Sequence, residues 1–293
     1  MQGEDEACML FEKIVSNLNE MGLNLYEVAL YTPDGVQTHR FQPCNRSNDC
    51  YSVAKAFVMT AIGFLWEDGL LSMTDPIEKY FFKEFRKGID PGWRMVTIEH
   101  ALTHRLGFLK GFLDIDVEDM TQYPVDDYLS MVFNHPLAYV PGTRTQYSDA
   151  AFYLLSRLVD HVCGEKLDRL LHKRLFKPMS FGETAWSCCP LGYPIGATGL
   201  YMSVTDMLKL GALYLNGGLY GNQRILSSEW VSRVIAHEYE FHSMTPGGLI
   251  GKGGMYGQLL AFSREKGFAI ACHAHEERKV GDRLIRYLDE VTP

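Results

Sequence analysis

No stretch of the 293 residues approaches the roughly 20 consecutive apolar residues that a membrane-crossing helix requires. Basic charge is scarce: 28 Lys and Arg stand against 36 Asp and Glu, a net charge of -8, and the densest short basic run is His172-Lys173-Arg174. That balance excludes an electrostatic grip on nucleic acid or an anionic membrane, both of which need clustered positive charge. No CxxC pair is present, and the seven cysteines fall at irregular positions, which reads as reduced thiols, Cys188 and Cys189 included. No HExxH or matching Cys/His set accompanies His273-Ala274-His275, so that pair reads as a strand end near the surface. No metal or organic cofactor is implied. Internal repeats and low-complexity linkers are absent too. The start, Met1-Gln2-Gly3-Glu4-Asp5-Glu6, is acidic where a secretion signal is basic. The expectation is a cytoplasmic chain without a leader, in which the glycosylation pattern Asn45-Arg46-Ser47 carries no meaning.

What is present is a hydrophobic share of 46%, enough for a substantial core. Residues 5–21 carry apolar positions at helical spacing. Leu25 to Tyr31 and Val36 to Phe41 form a hairpin through Pro33-Asp34-Gly35. The run from Ser52 to Trp66 is apolar nearly all round, the mark of a helix buried inside a fold. Helices follow over Thr97–His104, Val125–Asn134, Asp149–Cys163, Lys166–Phe176, Ser203–Asn216 and Ser227–Ile235. The end returns to strands, Met255–Phe262 and Gly267–His273, and closes with a helix from Glu277 to Val291. The simplest packing is an α+β fold: one antiparallel sheet built from both chain ends, flanked by the terminal helices, with a mostly helical insert. We expect a single domain over 1–293, its sheet part about 1–50 and 240–293 and its helical part about 51–239.

Three short patterns carry chemistry. Ser52-Val53-Ala54-Lys55 places a hydroxyl and an amine within one turn at the start of the buried helix. An unpaired lysine there is costly, desolvation disfavours its charged form, and a serine needs such a neighbour to become a nucleophile. Ser263 and Lys266 repeat the spacing, but in a hairpin turn expected to be solvated. Tyr147-Ser148-Asp149 lies just before a helix, and Lys252-Gly253-Gly254 lies immediately before the strand Met255–Phe262, where paired glycines let a strand edge approach a ligand. A phosphate-loop reading of Lys252 fails, because Pro246 occupies the first glycine position. Each pattern alone has a plain alternative, such as a capping serine with a snorkelling lysine, or an N-cap aspartate.

Together, in order, the three patterns resemble the serine beta-lactamase and penicillin-binding protein superfamily, most of all its class C beta-lactamase and esterase branch. Ile98-Glu99-His100-Ala101-Leu102-Thr103-His104, Pro141-Gly142 ahead of Tyr147, and Ala197-Thr198-Gly199-Leu200-Tyr201-Met202-Ser203 are similar to phrases of that branch. The resemblance implies a beta-lactamase-like fold and a serine hydrolase working through an acyl-serine intermediate on a small ester, D-amino-acid peptide or beta-lactam. It implies Ser52 as nucleophile, Tyr147 and Lys55 sharing its proton, and Lys252 steering an anionic group. Gly253 and Gly254 would line the substrate, and the amides of Ser52 and Met255 would form the oxyanion hole.

Two departures stand out. Asp149 occupies the position of the family's usual Asn, and an ionised Asp only accepts hydrogen bonds. Asp149 is therefore expected to pair with Lys55 or Lys252, leaving the Tyr147 phenol as the better candidate base. The stretch from Tyr147 to Lys252 is also short, which implies a more open pocket. These departures motivate the alternative of a catalytically silent fold that binds a ligand or partner. Oligomeric state is not legible.

Overall fold

The computed structural model describes residues 2–85, 89–276 and 280–291, so the expected start of the last helix at Glu277 lies outside the described residues. The chain divides into two units, one of Met1–Val53, Pro178–Thr184 and Tyr201–Pro293, the other of Ala54–Lys177 and Ala185–Leu200.

The first unit is built on a sheet. β1 (Leu25–Thr32), in which Val28, Ala29 and Leu30 are all buried, turns back as β2 (Gly35–Arg40); later come β3 (His242–Ser243), β4 (Ile250–Gly253), β5 (Leu259–Ser263) and β6 (Phe268–Ala274). Their order across the sheet is β2-β1-β6-β5-β4-β3, antiparallel throughout. The two chain ends thus meet at the centre, with Val28 opposite Cys272 and Leu30 opposite Ile270. On one face of β6, Phe268, Ile270 and Cys272 pack with Ile14 and Leu18 of α1 (Gln2–Glu20) and with Leu284 and Leu288 of the C-terminal helix Val280–Val291. The other face meets the helix Val204–Leu215. There Gly211 allows a close approach: a Cβ would fall 2.9 Å from Leu260 Cδ1, which would have to shift. Both faces being covered, all seven residues of β6 are buried, which explains its lack of polar alternation.

The second unit is mostly helical. Every residue from Ala54 to Leu65 of α2 (Ala54–Glu67) is buried, the outcome its all-round apolar sequence demands. It packs on α3 (Asp149–Cys163), which Gly164 ends in the left-handed conformation at φ 71°. The helix expected over Lys166–Phe176 is in two pieces, an α-helix Leu167–Leu171 and a wider π turn His172–Phe176.

The antiparallel sheet, terminal helices and helical insert match the α+β expectation. Several details differ. The strand expected from Met255 begins only at Leu259, because Met255–Gly257 forms a 3-10 turn with Tyr256 left-handed at φ 57°. Ser263 is fully buried, its hydroxyl accepting from the Lys266 amide, so the second Ser-x-x-Lys spacing caps a turn rather than facing solvent. His273 is fully buried rather than near the surface. Among the described residues no helix is long and apolar enough to cross a membrane.

Candidate active site

In the first unit, Ser52 sits half-buried in a 3-10 turn, Tyr51–Val53, that runs directly into α2. In this turn the Val53 amide donates to the Cys50 carbonyl at 3.0 Å and the Tyr51 amide to Asp49 Oδ1 at 2.8 Å. Tyr51 takes a left-handed φ of 45°, uncommon for a side chain of that size, immediately before the serine. Its ring meets that of Tyr256 edge-on at 5.3 Å.

Lys252 lies within β4, opposite Leu260 in the register, and is 6% exposed. Lys252-Gly253-Gly254 therefore closes a strand rather than preceding one, a correction to the sequence reading that follows from the Met255–Gly257 turn. Lys252 Nζ is 2.5 Å from Glu240 Oε2, a buried carboxylate that no sequence pattern singled out. Of the two glycines, Gly254 is the constrained one: a Cβ there would lie 2.7 Å from the Cys50 carbonyl, whereas at Gly253 it would make only ordinary contact. Gly254 thus lets the end of β4 close on the segment that carries Ser52. The following turn is held by Gln258, whose carbonyl accepts from the Gly254 amide at 2.8 Å, and the Gln258 amide donates back to Met255. Gln258 Oε1 in turn lies 2.7 Å from His273 Nδ1. Burial pushes His273 down to about 4, only partly opposed by the Met202 carbonyl 3.1 Å from Nε2.

In the second unit, Lys55 is the one charged residue among the buried positions of α2 and is completely buried. It is paired. Its Nζ is 2.8 Å from Asp149 Oδ1, donates to the Ala197 carbonyl at 2.9 Å, and stands 4.8 Å from the centre of the Tyr147 ring. Of the two partners considered for Asp149, the structure selects Lys55. Asp149 opens α3 and is 5% exposed.

Tyr147 is 44% exposed and is positioned by His104. The Gln146 amide donates to the His104 carbonyl at 2.8 Å, the Ser148 amide to His104 Nδ1 at 3.2 Å, and the two rings lie 4.4 Å apart. Gly111 passes so close that a Cβ would fall 2.3 Å from the Tyr147 carbonyl. His104 is thus a clamp on the tyrosine. Asp114 and Asp116 gather beside Asp149, their carboxylate oxygens lying within 4.8 Å of one another. Burial first, then the charges of Asp149 and Asp116, raise the Asp114 carboxyl above its ordinary range. Thr198 donates to Asp116 at 2.7 Å. Neither Glu240 nor this pair carried a sequence signal, since isolated acids in loops are common.

The fold is beta-lactamase-like. It is similar to EstCE1, described as a hydrolase with promiscuous acyltransferase activity, with a TM-score of 0.75, 16% identity, 97% of this chain covered and 99% of that one. It is also similar to the octameric penicillin-binding protein homologue from Pyrococcus abyssi, with a TM-score of 0.72, 20% identity, and 96% and 76% covered. The chain belongs to the beta-lactamase family, whose model matches residues 49–291. A protein of Escherichia coli strain K12 named "Putative D-alanyl-D-alanine carboxypeptidase" is 27% identical over 62% of this chain and 54% of its own length. The chain spans about half the length of the curated relatives it matches.

Proposed function

We propose that this chain is a serine hydrolase, one catalytic domain over 1–293, acting through an acyl-serine intermediate on a small molecule. The observation that carries the reading is Lys55, buried without exposure in an apolar helix, held by Asp149 and the Ala197 carbonyl against the Tyr147 ring, one turn after Ser52. Burying a lysine costs free energy even when it is paired, so its place there calls for a use.

In this reading Ser52 Oγ bonds to the acyl carbon of an ester while its proton passes to the Tyr147 and Lys55 pair. The bond from acyl carbon to leaving oxygen then breaks, and that oxygen takes the proton. Water repeats the sequence on the acyl-serine and releases the acid. The amides of Ser52 and Met255 would stabilise the oxyanion, Gly254 letting their segments approach, while Lys252 donates to a substrate oxygen. A net charge of -8 is in keeping with a small-molecule substrate and not with nucleic acid.

Hydrolysis of p-nitrophenyl butyrate tests this. Wild type turns over many equivalents per protein, Ser52→Ala none above background, and Tyr147→Phe is slowed. A second reading, a binding protein of the same fold, is favoured by Asp149, which engages Lys55 directly and cannot donate as the family's Asn does. It predicts no turnover by wild type.

A further inference from the structure

Glu240 stands in a turn that the backbone adopts at a cost. Its φ is 60°, and across it the Phe241 amide donates to the Tyr239 carbonyl at 2.8 Å, closing a positive-φ γ-turn, a rare and strained conformation. Fully buried aromatics pin the turn on both sides. Tyr239 packs on Trp230, with ring centres 6.1 Å apart, and Phe241 packs on Tyr214 and Phe262 at 4.8 and 5.3 Å. The carboxylate they aim is 1% exposed and reaches Lys252 Nζ at 2.5 Å. A sheet of this kind does not require the arrangement, because an ion pair of this depth is seldom the most stabilising choice for its place.

We infer that Glu240 is a specificity-determining residue: by cancelling the charge of Lys252 it directs the site to acyl substrates without a carboxylate, neutral esters above all, and against peptide C-termini and penicillins. The inference rests on the hydrolase reading. An ammonium beside a fixed carboxylate presents a substrate with a dipole and its other N–H groups, not with a net positive charge. Such a group hydrogen-bonds a neutral carbonyl or ester oxygen as well as before. It gives a second carboxylate little reason to enter, since that group must lose water and then face Glu240 across the lysine.

Two esters with the same leaving group test this on the full chain: p-nitrophenyl butyrate, and the p-nitrophenyl monoester of glutaric acid, which adds a free carboxylate. In wild type, kcat/KM for the butyrate exceeds that for the glutarate by about tenfold or more, a modest charge effect. Glu240→Gln moves that ratio about tenfold toward the carboxylate ester, and the double variant Glu240→Gln/Lys252→Gln returns it to the wild-type side. A merely structural role for Glu240 would slow both esters together and leave the ratio fixed. Equal or better use of the glutarate by wild type overturns the inference without any variant having to fold, as does an unchanged ratio in folded Glu240→Gln. Intact-mass measurement with the butyrate separates the two levels: acylation of Ser52 with the wrong ratio removes only the specificity assignment, and absence of acylation removes the hydrolase reading and the inference with it.

Discussion

Among the described residues two lysines are buried, and each is held by a carboxylate, yet the pairs are built differently. Lys55 sits in the first turn of a buried helix, its partner Asp149 opens another helix, and a tyrosine ring and a backbone carbonyl lie beside it. Lys252 sits in a strand near the sheet edge, and its partner Glu240 comes from a strained turn clamped by aromatic side chains. The first pair lies one turn from the serine and suits the traffic of a proton. The second has two neighbouring glycines and suits contact with a substrate. In the proposed reading charge compensation does two jobs: it keeps a basic group where the reaction needs it, and it removes a net charge that would otherwise choose the substrate.

The comparison breaks most visibly in rate. Lys55→Met, combined with Asp149→Asn so that no lone buried charge remains, should lower kcat/KM for p-nitrophenyl butyrate by about 10²–10⁴-fold, the usual worth of a positioned acid or base. Lys252→Met with Glu240→Gln should cost only about tenfold on the same ester, one charge-assisted hydrogen bond. Equal losses would show that the lysines do not divide the work. In stability the pairs should behave alike: Asp149→Asn and Glu240→Gln each leave a buried ammonium without its carboxylate and should cost about 3–5 kcal/mol in urea unfolding.

His273 sharpens the account of the sheet-borne half. It is held neutral in the folded protein, at about 4 against an ordinary 6.5, so between those values the unfolded chain binds the extra proton. Stability should therefore fall as pH drops from about 6.5 to 4, by about 3 kcal/mol in all, and level off below. The loss should vanish in His273→Gln, as denaturant melts at stepped pH will show. Smallest is Gly254→Ala, whose Cβ must displace the Cys50 carbonyl. It should cost about 1–3 kcal/mol and slow acylation, while Gly253→Ala should do neither.

The buried helix, the serine and lysine at its head and the central hairpin were legible because each is a local pattern: an all-round apolar run, a one-turn spacing, two strand-like segments about a Pro-Asp-Gly turn. The Asp149 partnership was half legible, since an acid in place of an amide must find a donor, but which lysine it meets depends on the folded chain. Glu240 was not legible, because a left-handed glutamate is marked by no glycine or asparagine and its partner is fixed only by the β3 and β4 pairing. The strand misplaced at Met255 has a related cause: Met255 and Tyr256 suit a strand by type, and only the left-handed turn at Tyr256 sets them apart. His273 was read as surface because a strand near the chain end was not expected to be covered on both faces.

Intact-mass spectrometry of wild type and Ser52→Ala, quenched within seconds of mixing with p-nitrophenyl butyrate, tests the central claim most directly. The account predicts one added butyryl group on wild type, located by peptide mapping to Ser52 and decaying as product continues to form, and none on Ser52→Ala. The same adduct on both proteins, or its absence from wild type while ester is consumed, would contradict it.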